Sequence, residues 1–206
     1  MKAEIISVHS VNPQLRLIKY IASKVLSGAI IVFPTDSGYS IGSALDNKTG
    51  VESIRSIRNL SKNHDFTLMF KSMNQIGEFA KLDNDAFRFI KRTHPGQFTF
   101  ILEATRIVPN RLAHPKKKTI GIRIPKNALI QNLIEELGEP IMSVSLIVDD
   151  HEFLSTQDIV DKLQNKVDII VDSGYCLPTP TTVIDFTKNP YQLVRKGAGD
   201  TSAIFG

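Results

Sequence analysis

The feature that most constrains the fold is a repeated alternation of amphipathic helical segments with short, continuously apolar segments. In the first pair, apolar residues from Leu15 to Leu26 recur at helical spacing, and residues 29–33 form an apolar run rich in β-branched residues. Asn12 and Pro13 suit the N-cap and the first helical position, and Gly28 suits the end of this helix. An apolar run of this kind is typical of a strand buried on both faces of a sheet.

The alternation continues along the chain and predicts an α/β fold. Further helices are predicted at 47–58, from Asp83 as N-cap to a stop before Pro95, at 127–137 and at 156–163. Strands are predicted at 29–33, 66–70, 98–104, 119–124, 141–147, 167–171, 181–186 and 191–195. Because the region from residue 167 onward looks antiparallel, we predict a single domain over residues 1–206 with a twisted, mixed parallel and antiparallel sheet covered by helices.

Composition excludes several protein classes. Hydrophobic residues make up 42% and charged residues 22% of the 206 residues, as in folded domains rather than disordered or coiled-coil chains. No segment approaches the roughly 18–20 apolar residues of a membrane span, and the N-terminal residues lack the apolar centre of a signal peptide. Cys176 is the single cysteine, which excludes an intramolecular disulfide and a multi-thiolate zinc site. We therefore expect a cytoplasmic protein that does not enter membranes.

Charge is distributed unevenly along the chain, although the net charge is only +4. Residues 104–134 contain seven bases and no acid, whereas residues 149–172 contain seven acids and two lysines. The bases lie between Arg106 and Lys126, which we call the basic segment. Two interpretations stay open: a solvated loop, or a surface for the phosphates of structured RNA. The absence of aromatic residues from the basic segment disfavours stacking on single strands.

Polar residues near the ends of predicted strands are the first candidates for a ligand site, because ligands of open α/β sheets bind beyond strand ends. Thr35 to Tyr39 follow the first apolar strand with hydroxyls, a carboxylate and a phenol. The alternative is that Asp36, Ser37 and Gly38 serve only a turn. His94 and Thr99 flank Pro95-Gly96 at the start of another strand.

Three later strands add further candidates. Arg123 alternates with Ile122 and Ile124 and therefore faces either solvent, the favoured interpretation, or a polar cleft. Ser143 and Ser145 lie on one face of their strand. Arg195 suits a bidentate anion contact, with a rim salt bridge as the alternative.

Common catalytic signatures are absent from the sequence. There is no P-loop, G-x-G-x-x-G, H-E-x-x-H or G-x-S-x-G motif. The five histidines are scattered without metal-ligand spacing, so no protein metal ligands are predicted.

Taken in order, these segments resemble the motifs of the YrdC-like family of threonylcarbamoyl-adenylate synthases, and most closely its YciO branch. The family's P-T-D-T-x-Y-G-L, K-x-R and P-G-P-x-T motifs resemble Pro34 to Ile41, Ser56-Ile57-Arg58 and Pro95 to Thr99, and His64 resembles the basic residue before a P-L-type strand. The family's hydrophobic-R-x-P, S-A-N, S-T-V-V-D and R-x-G motifs resemble Ile122 to Pro125, Ser143-Val144-Ser145, Thr181 to Asp185 and Arg195-Lys196-Gly197.

The resemblance implies a YrdC-like fold and an ATP-dependent condensation of L-threonine and bicarbonate into threonylcarbamoyl-adenylate, with release of pyrophosphate. That product feeds threonylcarbamoyladenosine modification of tRNA. ATP is then a substrate, normally accompanied by Mg²⁺. The resemblance assigns catalytic roles to Arg58, Thr35 and Ser143. It assigns substrate or nucleotide binding to Thr35, Ser37, Tyr39, Arg58, His64, Thr99, Arg123, Ser143, Ser145, Thr182 and Arg195.

Two positions depart from the family pattern. Ser56 replaces the lysine of K-x-R, and Ser145 replaces the asparagine of S-A-N. A hydroxyl does not supply the point charge of a phosphate-facing lysine, so weak or altered activity is expected. The alternative function is a non-catalytic module that binds double-stranded RNA, tRNA or ribosomal RNA through the basic segment.

Overall fold

A curled, ten-stranded mixed sheet forms the centre of the computed structural model, which describes residues 2–149 and 151–202. The strands are β1 (Glu4–Ser7), β2 (Ile31–Thr35), β3 (Gly38–Ser43), β4 (Thr67–Met69), β5 (Phe98–Glu103), β6 (Thr119–Arg123), β7 (Ile141–Ser145), β8 (Ile147–Val148), β9 (His151–Glu152), β10 (Ile169–Asp172), β11 (Thr182–Asp185) and β12 (Gln192–Arg195). The order in the sheet is β1-β10-β2-β3-β7-β4-β6-β5-β11-β12, and β8 and β9 form a separate two-stranded antiparallel sheet. The predicted mixed sheet is confirmed.

The helices are α1 (Leu15–Leu26), α2 (Lys48–Ile57), α3 (Ile76–Phe79), α4 (Asn84–Thr93), α5 (Ala128–Leu137) and α6 (Thr156–Leu163), and a 3₁₀ turn at Met73–Gln75 precedes α3. Asn47 and Asp83 cap α2 and α4 through side-chain oxygens, as predicted for Asp83. Gly138 ends α5 with a φ of 71°, a backbone conformation that favours glycine.

The predicted start of α1 is wrong. The helix begins at Leu15, after Gln14 as N-cap, and not at Asn12 and Pro13. The backbone N–H groups of Val11 and Asn12 instead donate to Nδ1 of His9. These bonds fold the residues before the helix into a separate turn.

Strand pairing after residue 167 also differs from the prediction. Strand β10 runs parallel to both β1 and β2, and β11 runs parallel to β5. In this region the antiparallel pairing joins β11 to β12. The other antiparallel pairs of the sheet lie around β3, β7 and the β5–β6 contact.

Two layers of helices bury opposite faces of the sheet. On one face, α1 packs against α5, and both cover apolar residues of β2 and β7 such as Phe33 and Ile141. On the other face, α2, α4 and α6 enclose a larger core that contains most of the buried phenylalanines. Helices α1 and α5 cover only part of their face, and the uncovered part forms the candidate site described below. Within the described residues, no helix is long and apolar enough to cross a membrane.

Candidate functional site

A cavity of about 290 Å³ lies on the sheet face that α1 and α5 leave partly uncovered. Alternating residues of neighbouring strands form its floor, because side chains of a strand point to opposite faces in turn. Thr67 and Met69 of β4 illustrate this, since both line the cavity while Leu68 lies in the core on the other face. The lining residues are Ser40, Arg58, His64, Asp65, Thr67, Met69, Thr99, Ile101, Gly121, Arg123, Ser143, Val144, Ser145, Ile147, Thr181, Val183 and Arg195.

Small residues in the sheet leave the space that the cavity occupies. A Cβ on Gly121 would approach Oγ1 of Thr67 to 2.7 Å and the carbonyl oxygen of Phe66 to 3.1 Å, so a larger residue at this position would displace β4. Ser143 is fully buried beside Thr67, and its hydroxyl donates to the Thr67 carbonyl at 3.4 Å. Hydroxyl groups and backbone therefore form the floor.

Arg123 is buried at the cavity wall, with 3% of its surface exposed. Its Nη2 pairs with Oδ1 of Asp36, and its Nη1 donates to the Ser37 hydroxyl at 2.6 Å. Its Nε is buried without a hydrogen-bond partner in the described structure. Burial lowers the pKa of Arg123, while the Asp36 carboxylate opposes this effect. The favoured interpretation of a solvated Arg123 is wrong, because the curled sheet brings the β2–β3 turn over this side chain.

Asp36 organises this wall. Its second carboxylate oxygen accepts from the backbone N–H of Lys126 at 3.0 Å, and its carbonyl accepts from Nε2 of Gln97 at 2.7 Å. The β2–β3 turn is thereby fastened to residues that flank β5 and β6. The sequence motif contains Asp36, but it was not predicted as a site residue because a turn role is equally plausible from the sequence.

Arg195 and two threonines form the adjoining wall. Nε and Nη2 of Arg195 donate to the carbonyl and the hydroxyl of Thr181, each at 3.1 Å. The Thr181 hydroxyl also lies 2.8 Å from that of Thr99. No salt bridge of Arg195 occurs among the described residues, which argues against the rim salt bridge that the sequence left open.

Thr182 does not line the cavity, in contrast to the prediction from the motif. Its hydroxyl accepts from the N–H of Gly197 at 3.0 Å and donates to the carbonyl of Gly199 at 2.8 Å. Adjacent residues of an extended chain point in opposite directions, so Thr181 takes the cavity position instead.

Arg58, His64 and Asp65 line the opposite end of the cavity. Nε of Arg58, which follows α2, donates to the Ser145 carbonyl at 2.6 Å and joins this helix end to β7. Burial lowers the pKa of Arg58. Burial and the nearby Arg58 charge lower the pKa of His64, with Asp65 opposing them. His64 is therefore mainly neutral near pH 7.

The remaining predicted residues lie beside the cavity. Ser37 and Tyr39 line a smaller pocket of about 40 Å³ that shares Ser145 and Arg195 with the cavity. Thr35, predicted as catalytic, lines neither pocket: its hydroxyl donates to the Gly38 carbonyl at 2.7 Å and accepts from the Ser37 N–H at 3.1 Å. The predicted catalytic residues Arg58 and Ser143 do line the cavity.

The basic segment is not one continuous charged surface. Arg123 is buried in the cavity wall, and Arg111 donates to the carbonyl of Leu45. Lys116, Lys117 and Lys118 are exposed, as are Arg106 and Lys126. The structure therefore leaves a shorter cationic loop than the sequence suggested.

Comparisons with known proteins identify the family of this chain. A family model named Sua5_yciO_yrdC, with the description "Telomere recombination", matches residues 23–197. The chain belongs to this Sua5/YciO/YrdC family. It is 44% identical over 195 residues to YciO of Escherichia coli (strain K12), described as uncharacterized, and the match covers 94% of this chain and 95% of YciO.

Related solved structures match nearly the whole of this chain. The crystal structure of E. coli YciO superimposes with a TM-score of 0.94 and covers 98% of this chain and 99% of that chain, at 41% identity. Sua5 of Pyrococcus abyssi, solved in complex with L-threonine, gives a TM-score of 0.87 over 95% of this chain and 58% of its own, at 25% identity. A putative threonylcarbamoyl-AMP synthase of Methanocaldococcus jannaschii is 27% identical over 96% of this chain and 94% of its own. The family relation therefore includes threonylcarbamoyl-AMP synthases.

Proposed function

We propose that this protein is a nucleotide-binding enzyme of the threonylcarbamoyl-adenylate synthase type, with weak or altered activity. The observation that carries the proposal is a hydroxyl-floored cavity with Arg58, Arg123 and Arg195 on its walls. Its substrates would be ATP, L-threonine and bicarbonate, which all carry anionic groups. Family membership and the P. abyssi Sua5 structure with L-threonine support the substrate class.

In the proposed reaction, the amine of threonine bonds to the bicarbonate carbon with loss of water, and the resulting carbamate attacks the α-phosphorus of ATP. The bond from the α-phosphorus to the bridging oxygen breaks, and pyrophosphate leaves. Positioning and charge neutralisation supply most of the catalysis in such transfers. No protein nucleophile is needed, which agrees with the absence of a catalytic triad motif.

The charged residues have distinct proposed roles. Arg58 and Arg195 form no salt bridge within the described parts of the chain, so their charges are available to phosphate oxygens. Arg123 is already paired with Asp36, and its remaining guanidinium N–H groups at the cavity wall suit one carboxylate oxygen of the amino acid.

The proposal is tested by calorimetry with ATP and AMP, together with a crystal structure of the AMP complex. We expect nucleotide in the cavity, and Arg195→Ala should weaken its binding by about 1–3 kcal/mol, the range for removal of a charge-assisted hydrogen bond. Lys188→Ala, on a loop outside the cavity, is the control and should leave the dissociation constant unchanged. Nucleotide bound elsewhere, or no effect of Arg195→Ala, would refute the proposed site.

The exposed lysines at 116–118 favour one second candidate function, binding of structured RNA without catalysis. Phosphate neutralisation by exposed lysines supplies affinity that depends on salt and not on sequence. A filter-binding assay with a double-stranded RNA and a tRNA at two salt concentrations tests this function.

A further inference from the structure

Asp65 is a carboxylate in a cavity whose other charged lining groups are cationic. The other ionisable groups among the lining residues are Arg58, His64, Arg123 and Arg195. Oδ1 of Asp65 accepts a hydrogen bond from the Thr119 hydroxyl at 2.9 Å. No salt bridge of Asp65 occurs in the described residues, and Nε of Arg58 donates to the Ser145 carbonyl. One carboxylate oxygen of Asp65 is therefore available to a ligand.

Asp65 lies at the Arg58 end of the cavity. In the sheet, Thr67 of β4 pairs with Ser143 of β7 and with Gly121 of β6. Asp65 precedes Thr67 by two residues and contacts Thr119, which precedes Gly121 by two residues. Ser145 follows Ser143 by two residues. Because β7 runs antiparallel to β4, Asp65 and Ser145 lie at the same end of these strands. The carboxylate of Asp65 and the guanidinium of Arg58 are thus two opposite charges at one end of one cavity.

At this end of the cavity Arg58 attracts phosphate and Asp65 repels it, so a bound polyphosphate gains from a cation that offsets the Asp65 charge. A carboxylate a few ångströms from a phosphate repels it, at a cost that grows as water is excluded. A divalent cation between the two anions converts the repulsion into attraction. Mg²⁺ is commonly held by one or two carboxylates together with substrate phosphates and waters, so one carboxylate is a sufficient protein contribution.

We propose that Asp65 is the protein ligand of the Mg²⁺ that accompanies the phosphates of a bound nucleoside triphosphate. This inference rests on the proposed function. The three arginines that line the same cavity indicate that it receives an anionic ligand. Among the described residues, no three His, Cys, Asp or Glu side chains form a metal-binding group. The metal therefore binds with the nucleotide and not alone.

The test compares ATP binding by calorimetry in excess MgCl₂ and in excess EDTA. With MgCl₂, Asp65→Asn should weaken ATP binding about tenfold, as for removal of an interaction between charged groups. With EDTA, the same substitution should leave binding equal or tighter, because a negative charge next to the phosphates has been removed. Asparagine retains the oxygen that accepts from Thr119, so the local fold is preserved. Asp85→Asn, an exposed carboxylate on α4, is the matched control and should change neither constant.

Asp65→Glu is a second variant, expected to keep most of the Mg²⁺ dependence because the carboxylate is retained. If Asp65→Asn weakens ATP binding equally in MgCl₂ and in EDTA, Asp65 has a structural role and the proposal is overturned. Unchanged ATP binding together with abolished L-threonine binding would assign Asp65 to the amino-acid ammonium and also overturn it. Metal-independent ATP binding by the unsubstituted protein would overturn this inference alone, whereas no ATP binding at all would overturn the proposed function as well.

Discussion

At the residue scale, the buried pair of Asp36 and Arg123 has the largest expected energetic effect. The side chains of Asp36 and Arg123 are 12% and 4% exposed, so neither charge is well solvated. Removing one partner of a buried ion pair leaves an uncompensated charge and typically costs about 3–5 kcal/mol. We predict that Asp36→Ala lowers the free energy of unfolding in urea by about this amount.

An exposed ion pair provides the control for this prediction. Lys81 and Glu103 form a salt bridge with side chains 64% and 51% exposed. Solvent screens such pairs, so Glu103→Ala should change the unfolding free energy by less than about 1 kcal/mol. Similar decreases in the two variants would mean that Asp36 is not needed to neutralise Arg123.

His64 gives a second residue-scale prediction, on pH. Its pKa is lowered in the folded state from the ordinary value of 6.5, so the unfolded chain binds more protons on acidification. Neutral His64 is the form that the folded state favours, so its contribution to the free energy of unfolding is complete above pH 6.5. That contribution is lost as the pH falls toward the folded pKa and the imidazole becomes protonated. His64→Gln removes this dependence. We predict a smaller loss of unfolding free energy between about pH 8 and about pH 5.5 in the variant than in the unsubstituted protein, measured by urea denaturation.

The sequence motifs identified several of these residues but did not predict what each residue contacts. Arg123 was identified by its motif, but its burial depends on Asp36, which lies 87 residues away in the chain. Alternation along the extended chain places Thr181 and Thr182 on opposite faces, but the motif does not show which face carries the cavity. Asp65 belongs to no motif, and only the shared lining of one cavity makes it a candidate.

At the scale of elements, helices and central strands were predicted well because their apolar patterns are long. Strand β1 was missed because its four residues pair with β10 alone and their burial alternates weakly. Strand β3 was missed because Pro34 was expected to end the preceding strand. In the structure, β2 pairs with β10 only at Ile31 and Val32. Pro34 lies beyond this pairing, so its missing N–H removes no hydrogen bond to β10, and β2 continues through Pro34 beside β3.

The loop that precedes β6 gives an element-scale prediction about RNA. Lys116, Lys117 and Lys118 are exposed and are not among the cavity-lining residues. Changing all three to alanine should reduce the slope of RNA affinity against salt concentration by about 0.7–0.9 for each phosphate that is no longer neutralised, up to about three phosphates. Nucleotide binding should not change. If the unsubstituted protein binds no RNA at low salt, the RNA function is rejected.

At the scale of the whole molecule, curling of the sheet creates the site. The β2–β3 turn contacts Gln97, Arg123 and Lys126, which flank strands several places away in the sheet order. Sequence patterns identify most of the strands and their buried faces. They do not specify how far the sheet curls, because that depends on the summed twist and packing of all strands. The expectation that the motifs meet at one site came from the family resemblance and not from the periodicity of apolar residues.

The last prediction concerns the two departures from the family pattern. Ser56 is exposed in the last turn of α2, and Arg58 ties this helix end to the carbonyl of Ser145 at 2.6 Å. Both substituted positions therefore lie near the Arg58 end of the cavity. We predict that Ser56→Lys combined with Ser145→Asn increases pyrophosphate release that depends on threonine and bicarbonate, and by more than either change alone. The reason is that both groups would act on one transition state, and such effects are non-additive.

The measurement is a coupled pyrophosphate assay on the unsubstituted protein, both single variants and the double variant. Each introduced group could restore up to about 10²–10³ in rate, the factor associated with one charge-stabilising interaction in a transition state. The same double variant combined with Arg58→Ala is the control and should lose the gain, because the added lysine needs the Arg58 end of the cavity to be intact. Rapid synthesis by the unsubstituted protein would show that the lysine and the asparagine are dispensable in this cavity. No gain in a folded double variant that still binds ATP would mean that the cavity is shaped for a different reaction of the nucleotide.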